Sequence, residues 1–207
     1  MSRLLIFLMA GWSGFFLMAI ELLSGRILAP HFGSSIQVWG AVITVFMLAL
    51  SIGYLIGGHV SVKDPSITKL SIILLTAAAA TTPAVLLGDL VMERTFELIL
   101  DPRYGSLIAA TLLFFVPTMI AGMVSPYAVR LLVSECRLSG QHAGSLFFVS
   151  TFGSAAGTVL TSFYLVLYLD VNQIFWILIA VSTSIGLSTL MFGLSRIKVV
   201  DLEQKRL

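Results

Sequence analysis

Long apolar stretches alternate with short polar segments along this chain, and the pattern predicts six membrane-spanning helices. A helix needs roughly 20 mostly apolar residues to cross the hydrocarbon core of a bilayer. Six stretches qualify, at about 4–28, 38–60, 70–87, 106–133, 144–168 and 173–194, and a tail follows at 196–207. We number them spans 1 to 6. The predicted fold is an all-α membrane protein, with one six-helix transmembrane domain over 1–195.

Composition supports a chain that is solvated by lipid. Of its 207 residues, 58% are hydrophobic and only 11% are charged, whereas soluble domains carry about 25% charged residues. So few charges cannot cover a water-facing surface, and the bilayer is therefore the first expected partner. No basic stretch is dense enough to predict binding of nucleic acid.

The distribution of basic residues predicts the orientation of the spans. Lys and Arg gather on the cytoplasmic side of membrane proteins. Six spans place nine basic residues on the side of the termini and three on the other: Arg3, Lys63, Lys69, Arg130, Arg137, Arg196, Lys198, Lys205 and Arg206 against Arg26, Arg94 and Arg103. We therefore expect both termini to be cytoplasmic, in a bacterial inner membrane.

The longest loop, 88–105, is predicted to hold a short amphipathic helix on the outer surface, from Asp89 to Asp101. Its apolar positions, expected to dip into the interface, are Val91, Phe96, Leu98 and Ile99. Glu93, Glu97 and Asp101 recur every four residues and so share a face. Such a stripe is either an acidic lip that attracts cations or an ordinary solvated face, and Arg94 and Arg103 would partly neutralise it.

Pairs of glycines four residues apart mark two spans as close-packing helices. Gly53 and Gly57 lie in span 2, and Gly153 and Gly157 lie in span 5. Small residues let helix backbones approach closely in lipid, where apolar contact alone gives little association. Helix packing is the main interpretation, and a pathway lined by bare backbone is the alternative.

Span 4 contains Pro117 and Pro126, and both are predicted to kink it. Proline lacks the N–H that an α-helix needs and crowds the preceding turn. Kinked helices often line transporter sites, although they are also ordinary in membrane proteins.

Glu21 is the most informative polar residue, because it lies inside span 1. A carboxylate exposed to lipid there would cost roughly 2–3 kcal/mol or more. Arg26 follows five residues later and so lies on another face of the helix. We expect Glu21 to bond to a neighbouring helix near Gln37 or Trp39. A proton or cation site and a structural polar pair are both open, and Arg26 is either part of a binding site or a snorkelling interfacial residue.

Other reactive residues form no recognisable constellation. The single cysteine, Cys136, has no second thiol for a disulfide. The histidines His31, His59 and His142 are scattered and lack the spacing of metal ligands. No nucleophile–base pair is visible, so we predict no catalytic residues, no metal and no cofactor.

A weak internal repeat is visible between the two halves of the chain. Residues 25–28, which include Arg26, end span 1, and residues 130–132, which include Arg130, end span 4. Gly-Ser pairs at 33–34 and 144–145 precede the next span, and the paired glycines follow. A repeat of three helices would make the halves inverted.

Five stretches carry a resemblance to a known family. They are Glu21–Ser35, Val38–Gly40, Leu50–Gly58, Gly122–Arg130, and Ala143–Leu146 with Ser150–Thr158, in which Gly25-Arg26, Trp39-Gly40, Ser125-Pro126 and Gly144-Ser145 stand out. In this order they resemble the membrane part of bacterial spermidine synthase-like proteins, which are often described as fused major-facilitator/spermidine-synthase proteins.

The resemblance implies a membrane half without its enzyme. In that family a soluble aminopropyltransferase-like domain commonly follows the helices, but this chain carries no glycine-rich nucleotide motif. Catalytic residues therefore cannot be transferred, and a separate synthase-like protein is an expected partner. The tail after residue 195 is either a docking segment or a basic anchor on anionic lipid.

Three functions follow from these features. The first is a multi-pass inner-membrane subunit that anchors or scaffolds a partner protein or complex. The alternative is a transporter or half-transporter for a small cation such as a polyamine, which as half of a major-facilitator fold would work as a dimer. The third, an intramembrane enzyme, lacks a catalytic constellation.

Overall fold

The computed structural model describes residues 2–133 and 139–204, with side chains described for 3–133 and 139–194. Cys136 and Arg137, and the side chains of the predicted docking or anchoring tail, lie outside the described residues. The described part is helical, which confirms the predicted all-α class.

Helices follow one another through the described residues with short connections. They are α1 (Ser2–Phe32), α2 (Ile36–Val60), α3 (Ile67–Leu86), α4 (Gly88–Leu98), α5 (Pro102–Gly122), α6 (Val124–Leu132), α7 (Ser139–Leu160), a π-helical turn (Thr161–Leu165), α8 (Val166–Tyr168) and α9 (Val171–Gln204). Six helical stretches are long and apolar enough to cross a membrane: Arg3–Phe32, Ile36–Val60, Ile67–Leu86, Pro102–Leu132, Ser139–Tyr168 and Val171–Leu194. The chain is therefore a multi-pass membrane protein.

The helices extend further than the apolar stretches that predicted them. Span 1 continues through Pro30 to Phe32. Span 4 begins at Pro102, where the carboxylate of Asp101 caps the helix by accepting the N–H of Arg103 at 2.9 Å. Proline suits the first position of a helix because its missing N–H would be unpaired there anyway. Hydropathy identifies the apolar middle of a membrane helix but does not detect its polar ends.

Span 4 is interrupted near one of its two prolines. α5 ends at Gly122 and α6 begins at Val124, with Met123 between them. The break falls at Met123, three residues before Pro126. Pro126 has no N–H for the carbonyl of Gly122, four residues earlier, and its ring crowds that carbonyl. The helix assignment is continuous through Pro117. The interruption of span 4 therefore coincides with the second proline.

α4 occupies the long loop and packs on the bundle through two side chains. Met92 and Thr95 are buried, and neither stood out in the sequence pattern. Phe96 and Leu98 stay exposed on the outside of the bundle, where an amphipathic helix meets an interface. The ring of Phe96 also contacts that of His31, with centroids 6.2 Å apart.

The acidic stripe of this loop is shorter than its sequence period indicates. α4 ends at Leu98, so Asp101 caps α5 instead of continuing the stripe. The two remaining acids, Glu93 and Glu97, are exposed, and Glu97 pairs with Arg94 at 3.2 Å. Exposed pairs contribute little to stability, and this geometry fits a solvated face.

Spans pair across the two halves of the chain. α1 packs most extensively on α7, α2 on α5, and α3 on α9. These are the span pairs 1 and 5, 2 and 4, and 3 and 6. If span 1 is exchanged with span 4, span 2 with span 5 and span 3 with span 6, the same three pairs result. An inverted repeat of three helices requires this symmetry. Phe46, Phe114 and Phe175 join spans 2, 4 and 6 within the core.

Glycines of span 2 lie directly on the backbone of span 4. A Cβ atom added to Gly53 would overlap the carbonyl oxygen of Met119, and one at Gly57 would lie 2.6 Å from the carbonyl oxygen of Met123. Real Cβ atoms essentially never come that close to a backbone oxygen. The helices can therefore approach this closely only because these two positions lack side chains.

The glycines of span 5 make the same contacts with span 1. A Cβ at Gly153 would overlap the carbonyl oxygen of Gly11, and one at Gly157 would lie 2.5 Å from that of Phe15. These glycines follow those of span 2 by 100 positions, as Gly153 follows Gly53. The residues of span 1 that these glycines contact lie 108 positions before the equivalent residues of span 4, since Gly11 precedes Met119 and Phe15 precedes Met123 by that number. These contacts therefore follow one register of the repeat.

Two polar contacts mark the pseudo-twofold axis of this repeat. The hydroxyl of Ser13 donates to the carbonyl of Ala121 at 3.2 Å, joining equivalent positions of spans 1 and 4. The hydroxyls of Ser71 and Thr189 bond at 2.8 Å between spans 3 and 6. Both contacts are buried. The centre of the bundle is thus closed by direct contact between helices.

The predicted correspondence at the helix ends has a different register. Arg26 and Arg130 differ by one helical turn from the spacing of the contacting residues in spans 1 and 4. The pair at Gly33 and Gly144 likewise misses the spacing of spans 2 and 5. Packing constrains the register inside the bundle, whereas loop lengths differ freely between repeats.

Candidate functional site

Glu21 lies half-buried in α1, at the level where span 1 approaches the α1–α2 loop. Its backbone carbonyl accepts the Ser24 hydroxyl at 2.7 Å. Within the described residues, its carboxylate has neither a hydrogen bond nor an ion pair. The expected bond to Gln37 or Trp39 is not formed: Gln37 is exposed, and Trp39 packs on α1 elsewhere.

Trp39 contacts span 1 one turn beyond Glu21. A Cβ at Gly25 would lie 2.6 Å from Cη2 of Trp39. The indole therefore occupies the space that a side chain at Gly25 would fill, and it joins spans 1 and 2 beside their loop. The sequence predicted that Trp39 and Glu21 lie in the same region. The contact that Trp39 makes with span 1 is an apolar one at Gly25, and it does not involve the Glu21 carboxylate.

The helical spacing predicted that Arg26 would not pair with Glu21, and in the structure the two side chains form no ion pair. Arg26 is exposed and lines a hollow of about 440 Å³ at the end of span 1. The rest of the hollow belongs to the connection between spans 5 and 6, over 166–171, and to Gln173. Arg26 and Asp170 therefore share one hollow.

The turn between spans 5 and 6 is ordered by the start of α9. The backbone N–H of Asp170 donates to the Oε1 atom of Gln173 at 3.1 Å. The backbone N–H of Ile174 in turn donates to the carbonyl of Asp170 at 3.0 Å. An acid followed three residues later by glutamine at a helix start is a capping pattern, so the sequence contained a signal for Asp170 and Gln173 that hydropathy does not detect.

A π-helical turn precedes this connection. Thr161 begins it and is fully buried, and its hydroxyl has no hydrogen-bond partner among the described residues. π turns are often found at functional sites. The turn lies just before the segment that lines the Arg26 hollow.

The glycine pairs in spans 2 and 5 serve in packing within one chain, as described above. Two further polar contacts escaped the sequence analysis. The indole N–H of Trp12 donates to Ser182 at 2.8 Å between spans 1 and 6. The fully buried Tyr127 accepts the backbone N–H of Ser66 at 3.0 Å.

Metal-binding chemistry has no obvious location in the described part of the chain, where no three His, Cys, Asp or Glu side chains gather. Comparison with protein-family models, curated proteins and solved structures gives no match to this chain. Functional interpretation therefore rests on the chain's own geometry.

Proposed function

We propose that this protein is a membrane subunit that anchors or scaffolds a partner protein, and that its partner binds the exposed side of α7. The observation that carries this proposal is the uneven burial of the spans. In the 18-residue apolar stretch of each span, only 17% of span 5 is buried within the bundle, against 50% of span 4. Span 5 thus offers the largest share of unused surface.

The exposed side of α7 combines small and aromatic residues. We call it the α7 groove, and its lining residues are Gly144, Phe147, Phe148, Thr151, Phe152 and Ala155. Small positions allow a second helix to approach, and aromatic side chains supply contact area. A Cβ at Gly144 would meet nothing within 4 Å, so packing inside this chain does not require a glycine there.

A closed bundle centre also favours a role in association. Ser13 contacts Ala121, and Ser71 contacts Thr189, at hydrogen-bond distance on the pseudo-twofold axis. The pseudo-twofold axis of an inverted repeat lies in the membrane plane, so a solute that crossed the bilayer through the centre of the bundle would have to break these contacts. A single copy is therefore better suited to hold a partner than to conduct through its own centre.

The resemblance to spermidine synthase-like proteins supplies the class of partner. A separate synthase-like protein is the expected one, held in the α7 groove by a membrane helix of its own and extending on the side of the termini. α9 continues to Gln204, past the end of span 6 at Leu194. At 1.5 Å per residue this extension reaches about 15 Å beyond the span, a length that supports a contact outside the membrane.

The experiment is purification from native membranes, followed by identification of the bound proteins. We expect a synthase-like protein to co-purify with the wild type and to be lost in Gly144→Leu, because the leucine fills the α7 groove. Gly40→Leu is the matched control, since a Cβ at Gly40 also meets nothing within 4 Å. Isolation of the wild type alone as a monomer would refute the proposal.

A second candidate is a half-transporter for a small cation, working as a dimer. Glu21 favours it, because a half-buried carboxylate without a partner inside the described chain is suited to bind a proton or an amine. Reconstituted vesicles should then take up polyamine, and Glu21→Gln should abolish uptake while the exposed Glu93→Gln should not. Absence of amine or proton uptake by the wild type would remove this candidate.

A further inference from the structure

The hollow at the end of spans 1, 5 and 6 brings together two opposite charges that do not pair. Arg26 enters it from α1, and Asp170 enters it from the turn before α9. Ion pairs in the described part of the chain join Arg94 with Glu97 and Arg103 with Asp101, but none joins Arg26 with Asp170. Each charge is therefore available to a ligand that carries its opposite.

The backbone strengthens the polarity of the hollow. The segment 166–171 contains the end of α8 and the start of α9. Helix C-termini present unpaired carbonyl groups, and helix N-termini present unpaired N–H groups. The hollow is thus lined by two helix ends in addition to its two charged side chains.

A ligand that matches this arrangement carries one anion and one cation a few bonds apart. A phosphate would bind the guanidinium of Arg26 through paired hydrogen bonds. A primary ammonium would donate to the carboxylate of Asp170. The phosphoethanolamine group has both, and as the phosphodiester of a lipid headgroup it is neutral overall, as are the two side chains together.

The position of the hollow points to a source for this group. It lies where three apolar spans end, and Tyr164 and Tyr168 are exposed on the adjoining turn of span 5. Exposed tyrosines at the ends of spans are typical of the level of lipid headgroups. A volume of about 440 Å³ accommodates one headgroup.

We propose that Arg26 and Asp170 form a binding site for a phosphoethanolamine group, provided by a phospholipid headgroup or by a soluble molecule. Arg26 binds the phosphate and Asp170 binds the ammonium. This site is independent of the partner proposed for the α7 groove, so either proposal can fail alone.

The test is native mass spectrometry of the purified full chain with matched phosphatidylethanolamine, phosphatidylcholine and phosphatidylglycerol. We expect the ethanolamine lipid to be retained best, since a quaternary ammonium cannot donate hydrogen bonds and glycerol carries no cation. Arg26→Gln should lower its retention about tenfold, the size of one charge-assisted hydrogen bond. Asp170→Asn should abolish the preference for ethanolamine over choline.

Arg103→Gln is the matched control, because Arg103 is an exposed arginine that pairs with Asp101 away from the hollow. Helical circular dichroism of each variant shows that it is folded. Competition by free phosphoethanolamine would assign a soluble ligand, and retention without competition would assign the lipid. Equal retention of the three lipids, or equal effects of Arg26→Gln and Arg103→Gln, would overturn the proposal.

Discussion

Adding one methyl group at Gly157 should weaken the contact between spans 1 and 5 measurably. The alanine Cβ would lie 2.5 Å from the carbonyl oxygen of Phe15, whereas ordinary contact begins at 3.4 Å. Both atoms belong to helices and cannot rotate away, so α1 and α7 must separate by roughly 0.5–1 Å, which forfeits a quarter to a half of each interface contact.

The size of the effect follows from the extent of this interface. Each heavy-atom contact contributes about 0.1–0.2 kcal/mol, and several dozen contacts give a loss on the order of 1–3 kcal/mol. This agrees with the cost of overpacking in protein cores, about 1–3 kcal/mol. Gly57→Ala should cost a similar amount, because its Cβ would lie 2.6 Å from the carbonyl oxygen of Met123 at the equivalent position of the repeat.

The assay is reversible unfolding in mixed micelles, followed by circular dichroism, with Gly144→Ala as the control. A Cβ at Gly144 meets nothing within 4 Å, so that variant should equal or slightly exceed the wild type in its free energy of unfolding. If Gly157→Ala proves as stable as Gly144→Ala, the close approach of the two backbones is refuted. A large cost at Gly157 with none at Gly57 would contradict the symmetry of the repeat.

Four further substitutions test other polar positions by the same unfolding measurement. Tyr127→Phe should cost about 1 kcal/mol, because the part-buried backbone N–H of Ser66 loses its acceptor. Ser71→Ala should cost about 0.6 kcal/mol, and Thr189→Val should add little to it, because both remove one hydrogen bond on the pseudo-twofold axis. Glu21→Gln should leave the free energy of unfolding unchanged or raised, because no partner of its carboxylate is lost within the described chain.

The tyrosine and serine tests have matched controls at positions without a contact to another helix. Tyr104 is exposed, so Tyr104→Phe should have no effect. Ser184 bonds only to its own helix, at the carbonyl of Ala180, so Ser184→Ala should be neutral. A loss above about 1 kcal/mol in Glu21→Gln would show that this carboxylate has a structural partner after all.

The division of the chain into six spans could be predicted from the sequence, because the length of an apolar run is a local property. The paired glycines were recognisable for the same reason. Their partners were not, since Met119 and Phe15 have nothing in their own sequence to distinguish them. The register of the repeat also needed these partners, because it is defined by contacts and not by loop residues.

The Arg26 hollow shows where sequence reasoning stopped. Arg26 was singled out as the end of a span, and its nearest acid in the sequence, Glu21, lies on another face of the helix. The acid that shares its hollow is Asp170, far along the chain. Only tertiary packing brings them together, because it depends on which ends of spans 1, 5 and 6 meet.

Sequence by itself therefore determined that this is a membrane protein, how many helices are long and apolar enough to cross the bilayer, and which of these helices can pack closely. These properties depend on the cost of exposing polar groups to lipid, which each segment pays separately. Tertiary structure decided the contacts on the pseudo-twofold axis, the exposed α7 groove and the hollow that Arg26 and Asp170 share. Such features arise from contacts between distant segments, and no local pattern encodes them.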